Sequence, residues 1–307
     1  MSESTTLTPR QAKGQMNTFG FALVIYVIAL TLYRHGTNLI IENAPELFMG
    51  YDPQVVVNFC FIPFLLLVSF VPFFIVTRLL GFKVRKYMKK PKLTFGKFLI
   101  GLCLGIAIYF FVSSISSVFG FIMKSADTSV EFLGDFRSTR LIMLNVIYFI
   151  YTGIVLPICD EYVFRGVIQR ALGHFGRGFG VVASAALYAL AQGSLIEALP
   201  AFFFGWYMSI LAIRYHSLWP SILIHIGTSL FFLGMNLIPA AYSWVILVLV
   251  FLVYVVSIGA LLFRKVNAKI SYSMAWEPTL WKLLFSCSTI WIVVLVFIFN
   301  VAMSFIK

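Results

Sequence analysis

Residues Leu141 to Leu172 read LIMLNVIYFIYTGIVLPICDEYVFRGVIQRAL, a membrane-length apolar run interrupted near its middle by Asp160, Glu161 and Arg165. A charged side chain near mid-bilayer costs ~3 kcal/mol on insertion scales, so such groups face a bundle interior and mark function. If the run is helical, Glu161 and Arg165 stand four apart on one face and can pair, which lowers the burial penalty of both. Asp160 then lies about 100° round the helix, free for a different partner. A pair that only braces a bundle is the plain alternative. The adjacent second acid argues against that, because acid chemistry often uses two carboxyl groups in different environments. The run is too long for one upright helix, and Pro157 is the expected kink or break, which would put the acids at the start of a new piece.

Outward from this run, the composition fixes the class. Of 307 residues 61% are hydrophobic and 11% charged, with 33 Phe and 14 Tyr. No soluble domain buries that much apolar surface, and the apolar runs are continuous rather than alternating. The chain is therefore expected to be all-α, a polytopic membrane protein of about eight or nine spans. Four cysteines (Cys60, Cys103, Cys159, Cys287) lie in or beside apolar segments without a CxxC pattern and read as packing residues.

The net charge of +12 reads as topology, and nucleic acid is not an expected partner. The first three apolar runs span about Met16 to Tyr33, Val55 to Leu80 and Phe98 to Met123; Lys83, Arg85, Lys86, Lys89, Lys90, Lys92 and Lys97 follow the second, and Arg10 and Lys13 precede the first. The stretch Arg34 to Asp52 carries Glu42, Glu46 and Asp52, and the loop after the third run carries Asp127, Glu131 and Asp135. Basic segments stay in the cytoplasm and attract anionic headgroups, so the N-terminus is expected inside and the C-terminus outside. The first apolar run lacks a small-residue cleavage site and should remain a span. Further runs are Val181 to Ala191, Ala201 to Ile213, a helix opening at Ser217 to Pro220, Tyr242 to Phe263 and Trp281 to Ile306; a basic loop with Arg264, Lys265 and Lys269 separates the last two. Three regions result: 1–140 with N-terminal spans, 141–236 with every intramembrane polar candidate, and 237–307 with C-terminal spans.

The polar candidates come in order: Asp160 with Glu161 and Arg165, then Gln192, then His225 with Ser229 four residues on. Singly, His225 reads as a hydrogen-bonded core residue and Gln192 as interhelical glue. Together they resemble the CPBP family, the CAAX proteases and bacteriocin-processing enzymes also called Abi, whose motifs are EExxxR, FxxxH and HxxxN. Here these read Asp160-Glu161-x-x-x-Arg165, Tyr188-x-x-x-Gln192 and His225-x-x-x-Ser229, with Phe164-Arg165-Gly166 and Ser217-Leu218-Trp219-Pro220 as supporting context. The resemblance covers Leu141 to Asn236 and implies a CPBP-type core and peptide-bond cleavage at the membrane. By that likeness Asp160 stands where a carboxylate activates water, Gln192, His225 and Ser229 where groups position it and stabilise the oxyanion, and Glu161 pairs with Arg165.

Three positions depart from the motifs. Asp160 is one methylene shorter than glutamate, Gln192 cannot act as an imidazole, and Ser229 is shorter than asparagine. Some family members are credited with a divalent metal such as zinc; Glu161 and His225 are the weak candidates here, and a three-ligand site would need more. Two functions therefore stand: an intramembrane endopeptidase with a variant carboxylate/His site, or an inactive member acting as a scaffold or regulator of a partner. A transporter would need discontinuous helices, for which Pro157 is the only hint. Expected partners are membrane lipids and a membrane protein or peptide. The expected location is a bacterial cytoplasmic membrane.

Overall fold

The computed structural model describes residues 8–123, 139–238, 240–263 and 277–306. Every regular element among them is helical. Helix α1 spans Pro9–Asn43, α2 Pro53–Leu79 and α3 Phe95–Met123. The central run forms α4 (Thr139–Ile150), α5 (Leu156–Asp160) and α6 (Gln169–Gly173), joined by π-helical segments Tyr151–Val155 and Glu161–Ile168. Then follow α7 (Arg177–Ala191), α8 (Leu195–Arg214), α9 (Trp219–Asn236), α10 (Ser243–Leu262), α11 (Pro278–Phe285) and α12 (Ser288–Ile306). Among the described residues seven helical stretches are long and apolar enough to cross a membrane, and α7, a shorter apolar helix, and α9 pack among them. The acidic loop with Asp127, Glu131 and Asp135 and the basic loop with Arg264, Lys265 and Lys269 lie outside the described residues.

Local chemistry sets the helix starts. Thr8 and Gln11 form a capping box ahead of α1 with Pro9 in its first turn, and the Val55 N–H donates to Asp52 Oδ1 at 3.1 Å ahead of α2. Ser194 caps α8 in the same way.

Of the kink or break expected at Pro157, the break is not there. The chain is helical without interruption from Thr139 to Gly173, and the proline is accommodated by the wider turn before it. In that turn the Leu156 N–H bonds back five residues to Tyr151 O, and in the next π segment Gln169 N–H bonds to Phe164 O. A π turn relieves the clash and the missing hydrogen bond that proline brings to a regular α-helix.

The two ends of the bundle differ in charge. At one end the basic segment after α2 docks on the start of α9: Leu218 N–H donates to Tyr87 O at 2.8 Å, Ser217 Oγ to Lys89 O at 2.7 Å, and Trp219 Nε1 to Met88 O at 3.0 Å. The Arg170 guanidinium lies 4.1 Å over the Tyr87 ring at this end. At the other end Tyr33 donates to Val57 O at 2.8 Å, and His35 Nε2 is 3.1 Å from Asn300 Oδ1. Between them runs a core in which Phe19, Leu23, Phe73, Phe164, Ile168 and Phe179 are fully buried. Outward faces carry exposed apolar side chains such as Leu247 and Phe251 on α10 and Leu295 and Ile298 on α12, a surface suited to lipid.

Candidate active site

The acids emerge where α5 passes into the second π segment. Asp160 is buried, and each of its oxygens accepts one tyrosine hydroxyl: Oδ1 from Tyr26 of α1 at 3.2 Å and Oδ2 from Tyr188 of α7 at 3.3 Å. It forms no ion pair among the described residues. Glu161 faces the other way. Its Oε1 lies 3.3 Å from Arg165 Nη1 and 3.1 Å from His225 Nδ1, with all three side chains buried. Facing a carboxylate oxygen, Nδ1 carries the imidazole proton in this arrangement.

Packing holds this brace rigidly. The Arg165 guanidinium sits 4.5 Å from the centre of the Tyr188 ring, and the His225 ring meets Phe204 edge-on at 5.0 Å. Gly205 of α8 makes room for it: a Cβ there would lie 2.8 Å from Arg165 Nη2 and 2.9 Å from Tyr188 Cδ1. Tyr188 thus touches both halves of the site, accepting the cation on its ring face and giving its hydroxyl to Asp160.

A cavity of about 620 Å³ reaches Asp160, with Tyr26 and Phe164 beside it at the floor and Arg34, Gln54 and Glu197 exposed at the mouth. Gln192, at the end of α7, lies on the same cavity and donates Nε2 to Tyr188 O at 3.3 Å. His225 is not among the cavity-lining residues; it sits behind Asp160 and Tyr188, bonded to Glu161. Ser229 is half-buried on α9, off the cavity, and makes no hydrogen bond among the described residues. Of the expected six, then, Asp160 and Gln192 share the cavity, Glu161, Arg165 and His225 form a buried brace beside it, and Ser229 joins neither.

The donors do not suit a metal ion. Glu161 and His225 are bonded to each other with the Arg165 cation against the same oxygen, and both Asp160 oxygens accept hydroxyls. No group of three or more His, Cys, Asp or Glu among the described residues is arranged to hold one. Two residues escaped the motif reading as members of the site. Tyr26 lies 134 positions before Asp160 in an apolar helix, and Tyr188 stands at the motif's aromatic position, where only packing is expected.

Fold and site together define a polytopic α-helical membrane protein with a buried two-acid centre beside a cavity. Residues 142–231 match the family model described as Type II CAAX prenyl endopeptidase Rce1-like, which belongs to the CPBP family, so the core of the chain has the CAAX-type endopeptidase fold. No curated protein and no solved structure matches the chain.

Proposed function

We propose that the protein is an intramembrane endopeptidase that hydrolyses a membrane-associated polypeptide through a variant site with Asp160 as general base. The observation that carries this is the Asp160 carboxylate on the cavity wall, held by two hydroxyls and not neutralised by an ion pair among the described residues. In this reading Asp160 takes a proton from a water in the cavity as the water oxygen attacks the scissile carbonyl carbon. The Gln192 amide turns from Tyr188 O to donate to the developing oxyanion. Asp160 then returns the proton to the leaving nitrogen as the C–N bond breaks. Glu161, Arg165 and His225 keep the helix carrying Asp160 in register with α8 and α9.

A second reading has its own support. The imidazole is bonded to Glu161 away from the cavity, and the Gln192 amide is already spent on its own helix, which suits a protein that binds a partner without cutting it. The test is purified protein in lipid with membrane-peptide candidates, comparing wild type, Asp160→Asn and His225→Ala. The endopeptidase requires cleavage by wild type and a loss of about 10²–10⁴-fold in Asp160→Asn, with peptide binding kept. Binding by wild type and Asp160→Asn alike, without cleavage by either, establishes the regulator instead.

A further inference from the structure

The direction from which the cavity is entered follows from charge and packing together. The exposed Arg78, Lys83, Arg85, Lys86, Lys89 and Lys90 cluster at the end where Ser217 and Trp219 dock. Lys13 belongs to this end too, its carbonyl 3.9 Å from Cys287 Sγ. The cavity mouth is at the other end, with Arg34, Gln54 and Glu197, near the exposed acids Glu42 and Glu46. Lysine and arginine are retained on the cytoplasmic side of a membrane, so the mouth belongs to the opposite face.

The route from the basic end is closed. Leu23, Ile168, Leu172 and Phe179, which continue from Tyr26 and Asp160 toward that end, are fully buried in close-packed core. In the other direction, Arg34 stands eight residues beyond Tyr26 on α1, a rise of ~12 Å at 1.5 Å per residue. Asp160 is thus at the bottom of a shaft that opens one way.

The lining says what kind of chain enters. Asn38, Gln54 and Asn58 lie along the cavity with no side-chain hydrogen bond among the described residues, so three carboxamides are available to a ligand. A carboxamide offers both a donor and an acceptor, the match for a peptide backbone. Deeper in, Phe61, Tyr151 and Phe164 form aromatic walls that suit an apolar side chain next to Asp160.

We infer that the cavity opens on the non-cytoplasmic face and takes an extended polypeptide segment presented there, an exported chain or the outer end of a membrane protein, rather than a cytosolic one. This rests on the reading above that the cavity is the ligand site, and it holds whether the ligand is cut or only bound.

The test uses the full chain with Cys60, Cys103, Cys159 and Cys287 replaced by alanine, carrying Gln54→Cys, Gln192→Cys or Lys89→Cys singly. Intact expressing cells are treated with a membrane-impermeant maleimide, then permeabilised and treated again. Gln54→Cys and Gln192→Cys are expected to label in intact cells, and Lys89→Cys only after permeabilisation. Labelling of Lys89→Cys in intact cells, or of Gln192→Cys only from the inside, overturns the inference. Should the cysteine-free chain not fold, alkaline phosphatase fused after Lys307 of the native chain gives a second readout. Helix α12 runs from the basic end to the mouth, so the fusion is expected to be active, and an inactive fusion at normal abundance overturns the inference. Neither readout needs hydrolysis. A chain that never cuts still reports its orientation, and reversed labels leave the endopeptidase proposal standing while removing this one.

Discussion

Replacing Arg165 by methionine removes the cation from a carboxylate that has no access to water. The partners are 3.3 Å apart and both fully buried, and at an effective dielectric near 20 their direct attraction is about 5 kcal/mol. Losing one member of a buried pair generally costs about 3–5 kcal/mol, because the survivor keeps its desolvation penalty. At roughly 2–4 °C per kcal/mol for a chain of this size range, Arg165→Met should lower the midpoint of thermal unfolding in detergent by about 6–20 °C. The double variant Glu161→Leu/Arg165→Met leaves no orphaned charge and should recover most of the loss. A single-variant drop below about 2 °C, or a double variant no more stable than the two single losses combined, would refute the claim that this pair is a coupled internal brace.

Other outcomes follow from individual contacts. Tyr26→Phe removes one of the two donors to Asp160 and should destabilise by about 1.5–3 kcal/mol; unchanged unfolding would mean the hydroxyl contributes nothing. Gly180→Ala places a Cβ 2.8 Å from Gly173 N and 3.0 Å from Gln169 O, both backbone, so α7 must move away from α6 at about 1–3 kcal/mol. Gly36→Ala meets open space and should stabilise α1 by about 0.5–1 kcal/mol, which makes the pair an internal control read in the same melting experiment. If cleavage is found, chelators should leave its rate unchanged, since Asp160 is engaged by two tyrosines, Glu161 by Arg165 and the imidazole by Glu161; restoration of a chelated enzyme by zinc would contradict that donor assignment.

Much of this site could be read from the chain alone, for physical reasons. Two acids and an arginine in an apolar run have to be inside a bundle, and the Glu161/Arg165 spacing survives even in the π segment that contains it. Membrane length and hydropathy likewise left few alternatives to a helical bundle. The partner of Asp160 was out of reach, because a tyrosine among apolar residues looks the same whether its hydroxyl meets lipid headgroups or a distant carboxylate. Pro157 signals a break in an isolated helix; here a π turn absorbs it, and the apolar sequence around it carries no mark of that. The motif spacing predicted that His225 and Ser229 share a face, but not that the imidazole goes to Glu161 while the hydroxyl stays off the cavity.

The polar contacts between α1 and α12 have a consequence for biosynthesis. Asn300 bonds Thr31 at 2.8 Å and approaches His35 at 3.1 Å, and it forms part of the same wall that α1 begins. While translation has passed the acids but not yet α12, the groove beside them stays open along one flank to the lipid. A nascent protein thus carries the Asp160 carboxylate through most of synthesis before the cavity around it is enclosed, and completion of the pocket waits for α1 and α12 to meet.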